Sequence, residues 1–464
     1  MVFRRSLLVF LAISGVLSAG WGVYGQGRRA LQAAERARAA SAPKPDILVI
    51  TLCSIRADHV HSWGYGPATT PNLDRLAASS TRFVNAWSAA PYTSSSHASL
   101  LTGLRPERHG VMDFGDALAP DIPSLPEVLG WYGYRTSAFM IASGPMTFGN
   151  GDGLSRGFAN FESGFASTTQ MAERIATWWR AAPHPVFSVV HLRDAHQPYA
   201  SAPEATDPRI VDWQANAFQA GPQGVQITMT LANALGADAV LRSQLSGVYD
   251  RGVHRADEAV GEVLGALGAD ADEALVVVTG DHGEALGEGG HLGHKRYLDE
   301  GVLHVPLLVR YPGQATATAV TTEVGLVDLL PTILELAHVP LPAGLDGRSL
   351  VGIESAPGWT STGTDGRVRP VIAQLVGASG PVSSVESVVL TSRFRLEAPE
   401  GRAVLYRRVS RSPQAFDAWE RIEDEPVRAA LLSWFLGLSA AATRGETPEL
   451  APGVVEELRK NGYW

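Results

Sequence analysis

The segment Asp46–Leu52, Asp-Ile-Leu-Val-Ile-Thr-Leu, is apolar without alternation and rich in β-branched residues. A strand with one wet face alternates polar and apolar side chains. This one does not, so it reads as a parallel strand buried on both faces. Runs of the same character recur at Val186–Leu192, Leu275–Thr279 and Pro306–Arg310, with a shorter one at Ala138–Ile141. Helical patterns separate them at Pro71–Ser79, His97–Leu101, Met171–Arg180, Gln244–Leu267 and Asp328–Ala337. Alternating strands and helices predict an α/β fold with a mainly parallel central sheet flanked by helices. Such sheets bind ligands beyond the carboxyl ends of their strands. The informative residues are therefore Cys53-Ser54, Arg193-Asp194-Ala195-His196 and Gly280-Asp281-His282-Gly283, each directly after a buried run.

From about Gly358 the pattern changes to short strand-like runs. They are Val371–Leu375, Ser387–Leu390, Arg393–Leu396 and Val404–Arg408, followed by helical patterns near Glu425–Leu436 and Val454–Asn461. This predicts a small C-terminal α+β subdomain over residues 356–464, packed on a main α/β domain over 45–355. Residues 1–44 stand apart. Arg4 and Arg5 precede Ser6–Gly25, 20 residues with no charge. A membrane-spanning helix needs about 20 apolar residues and a signal-peptide core about 7–15. The segment predicts a membrane anchor or an export signal, with the globular part on the periplasmic or extracellular face. Ser41–Pro45 reads as a linker.

Composition closes off other classes. Hydrophobic residues make up 45% of the chain, far too many for a disordered protein. The formal net charge of −9 lacks the basic footprint of a nucleic-acid binder. Cys53 is the single cysteine, so no intramolecular disulfide forms. Among many arginines there are three lysines, Lys44, Lys295 and Lys460. A lysine kept in such a chain is a candidate point charge.

Three segments carry chemistry. Asp281 and His282 at a strand end suit a divalent cation, and His291, His294 and Lys295 follow within a short loop. The hydroxyl cluster Thr93-Ser94-Ser95-Ser96 precedes His97 where a helix begins. Its ordinary role is an N-cap; its functional role is a hydroxyl nucleophile facing the positive end of the helix dipole. Asp194-Ala195-His196-Gln197-Pro198-Tyr199 leaves a strand and turns at proline. There His196 is a candidate proton donor, or the segment is a turn with Asp194 accepting local backbone bonds.

Together these segments resemble the sulfatase family of the alkaline-phosphatase superfamily. The resemblance rests on Ser54-Ile55-Arg56-Ala57-Asp58, Thr70-Pro71-Asn72-Leu73-Asp74, Ser96-His97-Ala98-Ser99-Leu100-Leu101-Thr102-Gly103, Asp194–Tyr199, Asp281-His282-Gly283-Glu284 and Gly293-His294. It implies an alkaline-phosphatase-like sheet and one divalent cation, calcium or magnesium in most sulfatases. Asp281 and His282 fall on ligand positions. Cys53 falls where the family has a first-strand aspartate, and Thr93 falls on the nucleophile. Sulfatases proper carry Cys or Ser there, in C/S-x-P-x-R, and convert it to formylglycine. Here Thr93, Ser95 and His97 occupy the Cys, Pro and Arg positions. No formylglycine arises from threonine by that route, so Thr93 would attack directly. Lys295 lies at the spacing of the family's substrate-binding lysine.

The expectation is a metal-dependent hydrolase of sulfate or phosphate esters. Thr93, His97, His196 and Lys295 form its catalytic group, and Arg56, His294 and Asp194 its substrate-side group; Arg56 equally suits a structural salt bridge. Cys53, Asp281 and His282 are its metal ligands. A thiolate in place of a carboxylate favours zinc over calcium or magnesium. The alternative is a catalytically impaired relative that binds an anionic ligand or a partner. A transferase of the phosphoethanolamine type also uses threonine, but commonly spans the membrane several times, where this chain offers one segment. The expected partners are an anionic ester and, through the N-terminal segment, a membrane.

Overall fold

A computed structural model describes residues 44–113, 116–141, 151–199, 203, 206–216, 222–294 and 297–352. Beyond these it describes the five strands given below and Leu431. The N-terminal anchor or signal segment and Lys295 lie outside the described residues. So do the expected helices near 425–436, save Leu431, and 454–461. Among the described residues no helix is long and apolar enough to cross a membrane.

The buried runs build one eight-stranded sheet. Its strands are β1 (Ile47–Leu52), β2 (Thr81–Trp87), β3 (Arg135–Met140), β4 (Asn160–Ser163), β5 (Val186–Leu192) and β6 (Leu275–Gly280). A short antiparallel pair, β7 (Ala285–Leu286) and β8 (Leu292–Gly293), lies outside it. The sheet is completed by β9 (His304–Arg310) and β10 (Thr318–Gly325), in the order β10-β2-β9-β6-β1-β5-β3-β4. All pairings are parallel except those of β9, which runs antiparallel to both β2 and β6. The run Pro306–Arg310 had the hydropathy of the parallel strands. Burial on both faces produces that signature whichever way the strand runs, so its direction needs the pairing itself.

Alternate residues of β1 feed two cores, as the two-residue strand period requires. Leu48, Ile50 and Leu52 pack with Met171, Ile175 and Trp179, and with Val253 and Val260. Ile47 and Val49 face Leu100, Leu101 and Ile333. The helices involved are α1 (Pro71–Ala77), α2 (Thr93–Thr102), α3 (Thr168–Ala181), α4 (Ala239–Leu267) and α5 (Leu329–Leu336). Helices at Pro208–Asn216 and Pro222–Ala237 join the α4 side. The result is a helix–sheet–helix sandwich.

The C-terminal runs form a separate antiparallel sheet, β11 (Val371–Val376), β12 (Val385–Leu390), β13 (Phe394–Glu397), β14 (Val404–Arg408) and β15 (Trp419–Ile422), in sequential order. It meets the main domain through Ala373 and Val388 against Trp87 and Leu303. The Gln374 N–H also donates to the Ala89 carbonyl at 2.9 Å.

Register places the site. Leu52 lies opposite Leu192 on β5 and Gly280 on β6. The next residues of three central strands therefore emerge side by side. The Cys53 N–H donates to Leu192 O at 2.8 Å, and Asp281 N–H to Leu52 O at 3.1 Å.

Candidate active site

Helix α2 begins at Thr93, with Tyr92 as its N-cap and no side chain capping it. The hydroxyl cluster does not cap the helix. Thr93 and Ser96 turn their hydroxyls toward the ends of β1 and β6 instead. Thr93 Oγ1 lies 3.3 Å from His282 Nε2 and 3.5 Å from Cys53 Sγ. Ser96 Oγ donates to the Asp281 carbonyl at 2.5 Å, tying α2 to β6. Thr93 is 8% exposed, while Cys53, Asp281 and His282 are essentially inaccessible.

The turn after β1 passes through Ser54 in the left-handed region, at φ 60°. This orients the Ser54 N–H to donate to Asp281 Oδ1 at 3.2 Å. The His282 N–H donates to the same oxygen at 2.7 Å. Burial opposes ionisation of Asp281. The rings of His282, His191 and His97 and the His282 N–H outweigh it and hold the carboxyl at about 2. Its second oxygen, Oδ2, is buried and accepts no hydrogen bond. It lies 3.7 Å from His282 Nε2 and 3.9 Å from His97 Nδ1.

Burial pushes the His282 pKa down to about 4, so its ring is neutral at pH 7. Its Nδ1 lies 2.9 Å from Gly283 O and must donate to that carbonyl. The Nε2 that faces Thr93 and Cys53 therefore carries a lone pair. Gly283 has to be glycine: a Cβ there would stand 2.0 Å from Gly301 O. Burial, and to a lesser degree Asp281, push the Cys53 thiol well above its ordinary range.

His97 does not reach the outer face of the site. Its Nδ1 donates to Thr93 O at 2.8 Å and its Nε2 meets Thr51 Oγ1 at 2.9 Å, both buried. It meets the Thr93 carbonyl one turn back along α2. Thr51 in turn contacts His191 Nδ1 at 2.9 Å. Cys53, His191 and Asp281 each offer a ligand atom within 4.8 Å of the others. His191 was not singled out in the sequence. Its signal was a titratable side chain inside an apolar run, directly opposite Thr51 once the register is known.

His196 and His294 join the site through ring contacts, tilted between His282 and His294 and edge-on between His294 and His196. The ring centroids of His282 and His294 are 4.4 Å apart, and those of His294 and His196 are 5.0 Å apart. The His294 Nδ1–H donates to Glu284 Oε1 at 2.8 Å. His196 Nδ1 donates to Gln197 O, and Arg193 Nη2 lies 3.3 Å from both of its ring nitrogens. Arg193 was not singled out as a site residue, although it directly follows β5.

The other substrate-side candidates stand elsewhere. The buried Arg56 guanidinium pairs with Asp58 and Glu288, each at 2.8 Å, and donates to Glu284 O. These bonds tie the β1 end to the Glu284–Glu288 loop, in keeping with the salt-bridge reading of Arg56. Asp194 is half-buried, and its charged neighbours are Arg255, Glu258 and Glu262 of α4.

A sequence model of the Sulfatase family matches residues 45–339, more than half of the chain. The chain is 24% identical over 345 residues to an ulvan-active sulfatase of Formosa agariphila, covering 66% of this chain and 64% of that one. It is 26% identical over 360 residues to human N-acetylgalactosamine-6-sulfatase, covering 68% and 66%. A shorter stretch of 101 residues is 40% identical to arylsulfatase K of Danio rerio, covering 21% and 19%. The chain thus spans less than two thirds of the length of the ulvan-active sulfatase and about a fifth of arylsulfatase K. Among solved structures, a phosphonate monoester hydrolase of Agrobacterium radiobacter superposes with a TM-score of 0.65 at 20% identity, covering 86% of this chain and 96% of that one. A 2-O GAG sulfatase gives 0.65 at 19% identity, covering 87% and 93%. These likenesses establish the alkaline-phosphatase-like α/β fold. On the family match, the order of its motifs and this fold, the chain belongs to the sulfatase family.

Proposed function

We propose that this chain hydrolyses sulfate or phosphate esters with Thr93 as a direct nucleophile, without formylglycine. The observation that carries the reading is Thr93 Oγ1 at the first turn of α2, 3.3 Å from the lone pair of His282 Nε2. Sulfatase relatives and the phosphonate monoester hydrolase of the same fold favour a tetrahedral anionic ester as substrate.

Oγ1 would form the new bond to sulfur or phosphorus while the bond to the leaving oxygen breaks. The hydroxyl proton moves to His282 Nε2, a neutral acceptor within reach. The positive end of α2 favours the developing negative charge. His97 holds the Thr93 carbonyl and with it the helix start. His294 keeps its Nδ1–H on Glu284; when its Nε2 also carries a proton, that proton goes to the leaving oxygen, and the water that later cleaves the Thr93 ester replaces it while Thr93 takes its own proton back from His282. Arg193 Nη2 supplies a cation 3.3 Å from His196, whose ring meets His294, and there an anionic ester would be bound. Water then cleaves the Thr93 ester and returns the site to its starting state.

The family implies a divalent cation, and the donor set here fits one: Asp281 Oδ2 is buried and unpaired beside Cys53 Sγ, His191 and His282. When bound, such a cation supplies charge neutralisation at the nucleophile and at the transferring group. Asp281, Cys53 and His191 are the residues that would hold it, since the lone pair of His282 Nε2 takes the Thr93 proton. Export or membrane anchoring through Ser6–Gly25 is part of the same proposal, since that segment reads as a signal or anchor. The alternative, a relative that binds anions without turning them over, draws on the thiol at Cys53. Purified protein with added divalent metal, assayed on aryl sulfate, phosphate, phosphodiester and phosphonate esters, tests both. Turnover lost in Thr93→Ala supports the hydrolase. Turnover that survives Thr93→Ala removes this mechanism, and no turnover on any ester leaves the binding-only alternative.

A further inference from the structure

Buried polar contacts reach past the nucleophile to β5. His97 Nδ1 lies 2.8 Å from Thr93 O, and its Nε2 lies 2.9 Å from the Thr51 hydroxyl. The same hydroxyl meets His191 Nδ1 at 2.9 Å and has the Val190 carbonyl at 3.4 Å. A metal-binding histidine is held by an outer partner at one ring nitrogen while the other meets the ion. Thr51 and His191 are register partners on adjacent strands, so this contact is built into the sheet.

We propose that Cys53, His191 and Asp281 form a site for a zinc-class divalent cation, with His191 as a ligand supplied by the middle of the sheet. Their ligand atoms lie within 4.8 Å of one another; tetrahedral bonds of about 2.0–2.3 Å set edges of about 3.3–3.8 Å, so a bound ion would draw the three groups together by about 1 Å. Asp281 Oδ2 is the independent sign of a ligand: it is 1% exposed and accepts no hydrogen bond. On binding, the Cys53 thiol releases its proton to solvent. One thiolate, one carboxylate and one neutral imidazole then neutralise the two charges of the cation, as a dry site requires. Calcium fits poorly, because it takes about 6–8 oxygen ligands. The cluster offers one carboxylate beside a sulfur and nitrogens. The site lies next to the nucleophile of the proposed hydrolase, so the inference adds to that reading, but it does not need Thr93 to react.

Cobalt(II) reports the ligands without any assay of activity. The full chain, stripped with a chelator and titrated with cobalt in excess calcium and magnesium, should bind about one equivalent. The complex should show a near-ultraviolet thiolate-to-cobalt band that zinc displaces. Cys53→Ser should lose the band, and His191→Ala should weaken binding on the order of 100-fold. Thr51→Val, which leaves all three ligands in place and frees the ring, should weaken it about tenfold, the size expected of an outer-shell partner. A cobalt spectrum with no thiolate band, calcium or magnesium binding in preference to zinc, or unchanged affinity in His191→Ala overturns the site. If a substituted chain does not fold, the parent spectrum decides by the presence or absence of the band. Thr93→Ala separates the two readings. An active parent without the band defeats this site alone, and an inactive parent that shows the band, kept in Thr93→Ala, defeats the hydrolase alone.

Discussion

Thr93 Oγ1 and His282 Nε2 stand 3.3 Å apart, 189 residues apart in the chain. One opens a helix and the other follows a strand, and both are buried. Replacing Thr93 by Ala should reduce turnover of the preferred ester by at least about 1000-fold, the scale on which nucleophile loss is felt. Thr93→Ser should keep a measurable fraction, since it retains the hydroxyl. Single-turnover kinetics on both variants check this.

Arg56 provides a contrast between structural and functional charge. Its guanidinium is fully buried between Asp58 and Glu288. Arg56→Ala would leave two carboxylates facing a dry gap, with a loss of about 3–5 kcal/mol in unfolding free energy. Urea denaturation reads this directly. A variant of unchanged stability but raised KM would instead place Arg56 on the substrate.

Gly283 is a steric requirement of the site. Gly283→Ala would drive its Cβ into Gly301 O, 2.0 Å away, and push apart the strand end and the Gly301–Leu303 turn. A destabilisation of about 3 kcal/mol or more is expected, by thermal unfolding. Gly66→Ala, with open space around its Cβ, is the control and should stay within about 0.5 kcal/mol of the parent.

His109 sets a pH dependence remote from the nucleophile. Burial lowers its pKa to about 3, while its Nδ1 accepts from the Val111 N–H and its Nε2 meets Ser99 Oγ. Unfolded, it titrates near 6.5. Between those values the unfolded chain holds the extra proton, so this contribution to stability is complete above about pH 6.5 and is lost as the pH falls toward 3. The slope from this one group is about 1.4 kcal/mol per pH unit. Unfolding curves from pH 7 to pH 4 should show it, and His109→Gln should flatten it.

How far the chain could be read in advance depends on the kind of signal. The strands β1, β5 and β6 are continuous apolar runs, and hydropathy finds such runs within a residue of their ends. Strand β2, Thr-Arg-Phe-Val-Asn-Ala-Trp, and strand β10, Thr-Ala-Val-Thr-Thr-Glu-Val-Gly, mix polar residues into their length and were not anticipated. Both sit toward one end of the sheet, where the helix layers cover less, so their composition is weaker evidence. Motif order pointed to Asp281-His282 and Thr93, which the fold brings to the same strand ends. Arg193 was marked by its place after a buried run, while His191 and Thr51 were not, because each takes its contacts from a neighbour in another strand.

Residue order alone therefore settled the layered α/β architecture, the family and the cluster of strand-end residues, because hydrophobic periodicity and motif spacing are local properties of a chain. Register and side-chain direction are not local. Folding sets the Arg56 guanidinium against Asp58 and Glu288, the helix-start hydroxyl against an imidazole, and Thr51 between His97 and His191. Each of these depends on where a strand's neighbour stops and which face a ring presents, and those are set when the sheet pairs and the helices close over it.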